Sequence, residues 1–444
     1  MSTPTLLVAA PASGSGKTVV TLGLLRAFAR QGRRVDSFKV GPDYIDPAFH
    51  ARATGRPCAN LDSWAMRFST LAGLLEETGR QSDLVIGEGV MGLFDGAPDG
   101  SGSTADLAAL FGLPVVLVVE AQKLGQSVAA VVEGFLRFRE DVEIVGLVLN
   151  RIGSPAHAEI LREACDARFS LPLLGCIPRH ADLHLPERHL GLVQASEHRH
   201  LADAIERAAD VVERHLDLAR ILRLARAPSV SVLASTVRPL PTPGQRIAVA
   251  RDEAFAFAYA SVLEGWRRQG AEILCFSPLA DEAPDRTADA VYLPGGYPEL
   301  HAERIAANAT FLEGLREAAG RGAFVFGECG GYMVLGRELV DRAGASHAMA
   351  GLLPVRTSFA RPRLHLGYRE MILAERSPLG HIRCGFRGHE FHFAEELERG
   401  GKPLFSEVRD VRGRSLGTAG VREGSVAGSF LHLIDRTDHL RALP

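Results

Sequence analysis

The stretch APASGSGKT, residues 10–18, follows a short apolar run and precedes an amphipathic segment, so it connects a predicted strand to a predicted helix. In such a loop the backbone N–H groups beside the glycines point inward, and the helix N-terminus adds a positive dipole that favours phosphate. Lys17 can reach the outer phosphates of ATP, and Thr18 can place a hydroxyl on Mg²⁺. The predicted ATP-binding residues of this loop are Gly14, Ser15, Gly16, Lys17 and Thr18.

One position of the loop departs from the common pattern. Pro11 stands six residues before Lys17, where glycine is usual. Because proline fixes φ and has no N–H, we expect the first turn of the loop to follow a somewhat different path.

Short β-rich runs alternate with amphipathic segments on the C-terminal side of the loop. Residues 115–119, VVLVV, are apolar on both faces, which is typical of a strand buried in a parallel sheet. The βαβ alternation predicts a doubly wound sheet with helices on both faces. The predicted strands are 5–10, 35–40, 83–88, 115–119, 143–149 and 173–177.

A proline-rich stretch, residues 227–246, follows a predicted helical region at 201–225. Its prolines cannot lie within a helix or a central strand, so we place the domain boundary there. We expect a first domain over residues 1–235 and a second over 245–444. The alternation then restarts and predicts a second open α/β domain, with strands at 246–250, 272–276, 290–293 and 323–326.

Side chains after two further predicted strands are expected to join the phosphate loop. The third predicted strand ends in Glu88, and ligands of open α/β sheets lie beyond the carboxyl ends of strands, so Glu88 is a predicted Mg²⁺ ligand. Lys39 lies one residue before the end of the second strand and can neutralise charge on a transferring phosphoryl group. In the turn after it, Asp43 is a predicted metal ligand, and Tyr44 and Asp46 are predicted to contact the substrate.

A second group of motifs indicates a thiol nucleophile. Residues 324–332, FVFGECGGY, run from an apolar strand into a cysteine between small residues, which is the layout of a nucleophile elbow. A helix N-terminus stabilises a thiolate, so we expect a lowered pKa for Cys329. The glycines of LPGGYPE, residues 293–299, offer N–H groups to an oxyanion, and His432 can serve as the base.

Composition and charge argue against several other classes of protein. The net charge of -3 disfavours a nucleic-acid partner, since such proteins carry a clustered basic face. No apolar run approaches the roughly 20 residues of a membrane span. The N-terminus has no basic region before its apolar run, so we interpret it as a strand and not a signal peptide, and the expected compartment is the cytoplasm.

Motifs over nearly the whole chain resemble those of known families. The first half resembles the dethiobiotin-synthetase-like P-loop ligases, and the second half resembles the class I (Triad-type) glutamine amidotransferases. Their fusion in this order resembles the cobyrinic acid a,c-diamide synthases of corrin biosynthesis. The motifs that carry the resemblance are APASGSGKT (10–18), KVGPDYIDP (39–47), NLDSWAM (60–66), GEGVMGLFDG (87–96), LPGGYPE (293–299), FGECGGYM (326–333), RGHEFHF (387–393) and GSFLH (428–432).

The resemblance implies an α/β fold in both halves, a doubly wound P-loop domain followed by a flavodoxin-like amidotransferase domain. It implies that Cys329 attacks the amide of glutamine with His432 as its base, and that Gly296 and Gly330 form the oxyanion hole. It also implies that ATP with Mg²⁺ phosphorylates an acetate of a corrinoid polycarboxylate, which ammonia from glutamine then amidates. The loop with Pro11 is more similar to the aerobic branch, whose substrate is hydrogenobyrinic acid. Whether the chain forms a homodimer is left open.

The third member of the catalytic group is also left open. Many class I amidotransferases have Glu two residues after the catalytic His, and Ile434 stands at that place here. Either another carboxylate orients the imidazole or the site is a Cys–His dyad. Asp435 is out of step with the family's spacing.

Two alternative functions remain at this stage. One is amidation of other corrin side chains, as in the related cobyric acid synthases. The other is a switch ATPase of the ParA/MinD kind, whose P-loop domain is similar in outline but which leaves Cys329, Gly296 and His432 unexplained. Glutamine-dependent release of glutamate separates the amidotransferases from the switch ATPase.

Overall fold

The computed structural model describes residues 3–180, 183, 187–188, 191–192, 194, 200–229 and 237–437. The chain divides into two compact units, Met1–Trp64 with Leu71–Ser235 and Ala65–Thr70 with Thr236–Pro444. The segment Ala65–Thr70 therefore belongs to the second unit, which the sequence did not indicate. The predicted end of the first domain, residue 235, lies outside the described residues.

The first unit alternates strands and helices along the chain. Its strands are β1 (Thr5–Ala9), β2 (Val35–Val40), β3 (Cys58–Leu61), β4 (Leu84–Glu88), β5 (Val115–Glu120), β6 (Ile144–Ile152), β7 (Leu173–Pro178), β8 (Glu187–Arg188) and β9 (Gly191–Leu192). Its helices are α1 (Lys17–Arg30), α2 (Asp46–Thr54), α3 (Phe68–Gly79), α4 (Thr104–Phe111), α5 (Val128–Phe138), α6 (Pro155–Asp166), α7 (Leu201–His215) and α8 (Leu218–Leu224). The first residues of α3 lie in the segment that belongs to the second unit.

Seven of these strands form one sheet in the order β3-β2-β4-β1-β5-β6-β7, with every neighbouring pair parallel. The first five residues of β5 are all buried, as expected for a strand covered on both faces. The predicted doubly wound α/β sheet is confirmed. The edge strand β3 was not predicted, because its four residues, CANL, are too few to show a period.

In the described part of the second unit there are fifteen strands and four α-helices. Its strands are β10 (Arg246–Ala250), β11 (Glu272–Phe276), β12 (Ala290–Leu293), β13 (Phe324–Glu328), β14 (Glu338–Val340), β15 (Ser346–Ala348), β16 (Val355–Ser358), β17 (His365–Leu373), β18 (Gly385–His392), β19 (Glu395–Arg399), β20 (Phe405–Arg409), β21 (Ser415–Ala419), β22 (Val421–Glu423), β23 (Val426–Ser429) and β24 (Leu431–Arg436). Its helices are α9 (Ala260–Arg268), α10 (Ala302–Ala307), α11 (Ala309–Gly320) and α12 (Gly330–Leu335). No helix in the described part of the chain is both long and apolar enough to cross a membrane.

The core of the second unit is a six-stranded sheet in the order β11-β10-β12-β13-β23-β22. Its first four strands are the predicted ones, and they are parallel, which confirms an α/β architecture. A five-stranded antiparallel sheet, β21-β20-β17-β18-β24, was not predicted. Strand β24 of this second sheet carries His432, the predicted base.

Candidate active sites

The phosphate loop turns from β1 into α1 through two glycines with a left-handed backbone. Gly14 has a φ of 79° and Gly16 a φ of 87°, a region in which other side chains are strained. A side chain on Gly16 would also overlap the amide of Asn150, whose Nδ2 donates a hydrogen bond to the carbonyl oxygen of Ser15 at 2.9 Å. Because α1 begins at Lys17, its first N–H groups are available to the loop. Asn150 was not predicted, since nothing local connects β6 to the loop.

Thr18, Lys39 and Glu88 converge at the carboxyl ends of β2 and β4. Lys39 and Glu88 are neighbours in the strand register, and Lys39 Nζ lies 2.8 Å from Glu88 Oε1. The hydroxyl of Thr18 donates to the same carboxylate oxygen at 2.6 Å. Hydroxyl and carboxylate oxygens are ligands that Mg²⁺ accepts, so Thr18 and Glu88 fit this ion. The structure brings these three residues together, and their roles remain predictions.

The other three predicted residues lie in the turn after β2 and at the first position of α2. Asp46 Oδ2 lies 2.5 Å from Lys39 Nζ, so Asp46 joins the same charged cluster. Asp43 Oδ1 accepts the backbone N–H groups of Ile45 at 2.8 Å and of Asp46 at 3.0 Å, which stabilises the start of α2. Tyr44 is half-buried in this turn. Asp43 therefore makes a structural contact in addition to its predicted metal contact.

The charged groups of this cluster shift the pKa values of their neighbours. Although burial opposes the ionisation of Glu88, the Lys39 ammonium and the His50 imidazole hold the pKa of Glu88 below its ordinary value. Burial also opposes the charge on Lys39, but Asp46 and Glu88 raise the pKa of Lys39. Lys17 differs, since burial and the nearby Lys39 charge lower the pKa of Lys17. At neutral pH the site therefore presents an ionised Glu88 beside a charged Lys39.

His50 is part of this site and was missed in the sequence. Its Nε2 lies 2.7 Å from Glu88 Oε2, and its Nδ1 lies 3.5 Å from the sulfur of Cys58. Burial disfavours the charged ring, yet Cys58 and Glu88 raise the pKa of His50 to about 10. His50 therefore orients the carboxylate of Glu88, the predicted Mg²⁺ ligand, through its second oxygen. Residues around metal ligands commonly have this role.

Replacement of His50 is expected to weaken the Mg²⁺ site. In His50→Ala the Mg²⁺ concentration for half-maximal amidation should rise roughly 10- to 100-fold, because the carboxylate of Glu88 loses its orienting donor. His50→Gln, which can still donate a hydrogen bond, should recover part of this loss. The measurement is a Mg²⁺ titration of amide formation with ammonia as the nitrogen donor, and an unchanged midpoint in His50→Ala would contradict the assignment.

Cys329 lies on a sharp turn between β13 and α12. Its φ of 46° is strained for a non-glycine residue, as at the elbows that present a nucleophile. Small neighbours make the turn feasible, because a side chain on Gly331 would overlap the backbone of Leu293. The N–H of Cys329 donates to the carbonyl oxygen of Ser429 at 2.8 Å, which fixes the elbow on β23.

His432 lies beside Cys329 across Gly295. A Cβ atom on Gly295 would lie 3.3 Å from the Cβ of Cys329 and 3.4 Å from Nε2 of His432. The predicted nucleophile and the predicted base therefore border the same small space, although 103 positions separate their numbers in the sequence. Burial, followed by the neighbouring His389, lowers the pKa of His432, so the imidazole is neutral and can accept a proton.

The expected lowering of the Cys329 pKa is wrong for this structure. Burial, and then the charge of Glu299, raise the pKa of Cys329 above its ordinary value, while the Gly330 N–H opposes the rise. Desolvation outweighs the single short helix that begins at the elbow. The resting group is therefore a thiol, and its reaction requires a base such as His432.

The two glycines predicted for the oxyanion hole lie next to each other. A Cβ atom on Gly330 would lie 3.1 Å from the backbone nitrogen of Gly296, and the Gly330 N–H acts to lower the pKa of Cys329. A side chain on Gly296 would overlap the carbonyl of Ala254. Both positions therefore bring backbone N–H groups to the neighbourhood of the sulfur, where an oxyanion would form.

His389 and Asp435 bear on the question of a third catalytic residue. The ring of His389 stacks on that of His432, with centroids 4.8 Å apart and planes 5° from parallel. The hydroxyl of Tyr259 lies 2.9 Å from Nε2 of His389. Asp435 instead accepts hydrogen bonds from the backbone N–H and the guanidinium of Arg67, each at 2.9 Å. Asp435 thus pairs with Arg67. This agrees with its place in the sequence, three residues after His432 and not two.

A methyl group on Gly295 is expected to separate the nucleophile from its base. The added Cβ in Gly295→Ala would lie 2.5 Å from Cε1 of His432, so the imidazole must move. We expect kcat for glutamine hydrolysis to fall on the order of 100-fold, while amidation with free ammonia continues. Gly320→Ala, where the same atom meets nothing within 4 Å, is the matched control. Wild-type hydrolysis by Gly295→Ala would contradict the assignment.

Two family models match the chain. Residues 6–193 match the CobQ/CobB/MinD/ParA nucleotide binding domain, and residues 246–439 match the CobB/CobQ-like glutamine amidotransferase domain. These matches cover both sites described above.

Full-length relatives are also similar to this chain. The hydrogenobyrinate a,c-diamide synthase of Brucella abortus biovar 1 is 54% identical over 434 residues, which are 97% of this chain and 98% of the relative. Proteins of the same name from Rhizobium meliloti and Rhodobacter capsulatus are 53% and 52% identical over 97% of this chain, with 99% and 98% of the relatives covered. The resemblance found in the motifs is thereby confirmed, and the chain belongs to the hydrogenobyrinate a,c-diamide synthase family.

Proposed function

We propose that this chain uses ATP and glutamine to convert the a and c acetate side chains of hydrogenobyrinic acid into amides. The observation that carries the proposal is the presence of two sites on one chain. One unit places the buried Cys329 beside His432, and the other places Lys39 and Glu88 at a phosphate loop. The names of the relatives, which match over nearly their full length, supply the substrate.

The second unit releases ammonia from glutamine in this account. His432 takes the proton of Cys329 as the sulfur attacks the amide carbon, and the N–H groups of Gly296 and Gly330 stabilise the oxyanion. The C–N bond then breaks, and the proton held by His432 goes to the departing nitrogen. Water, activated by the same imidazole, hydrolyses the thioester and yields glutamate.

The first unit prepares the acceptor carboxylate. A carboxylate is a poor electrophile because its leaving group would be an oxide, and transfer of the γ-phosphoryl group of ATP to it creates an acyl phosphate with a good leaving group. Ammonia then attacks the carbonyl carbon, and phosphate departs with ADP already formed. Lys17 and Lys39 can offset the charge that develops on the transferring phosphoryl group. Mg²⁺ held by Thr18 and Glu88 would neutralise further phosphate charge.

Product analysis tests the proposed reaction. Hydrogenobyrinic acid and its cobalt form are each incubated with the chain, ATP, Mg²⁺ and glutamine, and the products are identified by mass spectrometry. The proposal predicts a diamide from the cobalt-free substrate. Glutamate and ADP should each form in an amount equal to the new amides. Amides at other side chains would favour the cobyric acid synthase alternative. ATP hydrolysis without any glutamate release would favour the switch ATPase.

The acyl phosphate has its own test. When the acetate carboxylates carry labelled oxygen, one labelled oxygen should appear in the phosphate released with each amide, because the carboxylate oxygen leaves on phosphorus. Phosphate without label would contradict the intermediate.

A further inference from the structure

The nucleophile and the base of the second unit lie on different sheets. Cys329 follows β13 of the six-stranded sheet, whereas His432 lies in β24 of the five-stranded antiparallel sheet. The chain leaves the first sheet at Ser429 and enters β24 at Leu431. The distance between the two reactive side chains therefore depends on contacts that join the sheets.

Glu328, the last residue of β13, makes a buried contact of this kind. Its Oε1 accepts a hydrogen bond from the backbone N–H of Leu433 at 2.9 Å, and its Oε2 accepts one from the hydroxyl of Tyr292 at 2.6 Å. Glu328 directly precedes Cys329, and Leu433 directly follows His432. The residue before the nucleophile is thus hydrogen-bonded to the residue after the base.

The position of β24 explains why this contact is needed. Among the residues that the structure describes, β24 pairs with β18 alone and is the edge strand of its sheet, so backbone N–H groups on its open side have no strand partner there. A buried N–H without an acceptor is costly, and Glu328 supplies one for Leu433.

The cost of burying Glu328 also indicates a positional role. The side chain is only 3% exposed, and burial raises the pKa of Glu328 to about 7, although its two hydrogen bonds oppose the rise. An apolar side chain would be cheaper to bury in this place. The two donors that converge on the carboxylate account for its presence.

We propose that Glu328 is a positioning residue that holds β24 against the nucleophile elbow and so keeps His432 within reach of the Cys329 proton. Glu328 acts through the backbone of β24 and not through the imidazole. The inference rests on the proposed glutamine hydrolysis and extends it, since it explains how two sheets form one catalytic group.

The test compares Glu328→Ala with Glu328→Gln in the full-length chain. The Gln side chain can still accept the Leu433 N–H, whereas Ala cannot. In Glu328→Ala we expect kcat for glutamine hydrolysis to fall on the order of 100-fold at unchanged KM, because a small misplacement of reacting groups has an effect of this size. Glu328→Gln should recover most of the wild-type kcat. Amidation with free ammonia should be unaffected in both variants, which shows that the first unit is intact. The unchanged KM for glutamine shows that the second unit, which contains Glu328, is folded.

Two further variants complete the design. Tyr292→Phe removes the other hydrogen bond of the same carboxylate and leaves the Leu433 bond, so its kcat should remain close to wild type. If Glu328→Ala does not accumulate as folded protein, Glu328→Asp replaces it. Asp keeps the charge but is one methylene shorter, so the same loss is expected.

Several results would overturn the role of Glu328. Wild-type glutamine hydrolysis in Glu328→Ala or in Glu328→Asp would show that the contact with Leu433 does not position the base. An equal loss in Glu328→Gln would show that the charge itself is required. An equal loss in Tyr292→Phe, which keeps the Leu433 bond, would show that the Leu433 contact alone does not hold the base in place. Absence of glutamine hydrolysis in the wild-type chain would instead overturn the proposed function, so the two failures are distinguishable.

Discussion

Replacement of Cys329 by serine is expected to abolish glutamine hydrolysis and to leave amidation with free ammonia intact. The expected fall in kcat for glutamate release is on the order of 10⁶-fold, because removal of a nucleophile disables the whole catalytic group. The thiol of Cys329 borders the same space as His432, and a serine hydroxyl there is a much weaker nucleophile. The measurement compares glutamate release with amide formation from ammonium salts.

The exposed Cys275 provides the matched control for this variant. Cys275→Ser removes a thiol from the same unit at a solvent-exposed position, so both activities should remain at wild-type levels. Persistent glutamate release from Cys329→Ser would remove Cys329 from the mechanism. Loss of the ammonia-dependent reaction in the same variant would indicate misfolding or a second role for the thiol.

Lys17→Ala is expected to lose amide formation and to keep glutamine hydrolysis, the reverse of Cys329→Ser. Amide formation should fall roughly 100- to 1,000-fold with either nitrogen donor, because the phosphoryl group loses a cation that stabilises its transition state. Lys17 is buried at the start of α1, next to the cluster of Lys39 and Glu88. Glutamine hydrolysis takes place in the other unit and should persist.

Lys402→Ala serves as the control for loss of a lysine charge. Lys402 pairs with the half-exposed Glu375 at 3.0 Å in the second unit, and exposed pairs of this kind contribute little to stability. Its amide formation should equal that of wild type. A Lys17→Ala chain that still forms amide at the wild-type rate would refute the ATP assignment.

The local parts of both sites could be predicted from the sequence. The glycines before Lys17 and the small residues around Cys329 are short-range patterns, because one turn requires them within a few positions. The buried strands were equally visible, since a run such as residues 115–119, VVLVV, is apolar on both faces.

Contacts between distant residues could not be predicted in this way. His50 meets Glu88 across 38 positions, and Glu328 meets Leu433 across 105. No period or spacing indicates such pairs, because they arise when strands and sheets pack. The expectation of a lowered pKa for Cys329 failed for the same reason, since burial is a property of the folded chain.

The most direct measurement follows the amide nitrogen of glutamine into the product. The chain is supplied with hydrogenobyrinic acid, ATP, Mg²⁺ and glutamine labelled at the amide nitrogen, together with a low concentration of unlabelled ammonium. The account predicts a diamide that carries label at both new amides, and no such labelled product from Cys329→Ser. A diamide without label, or ADP formation with no new amide, would contradict it.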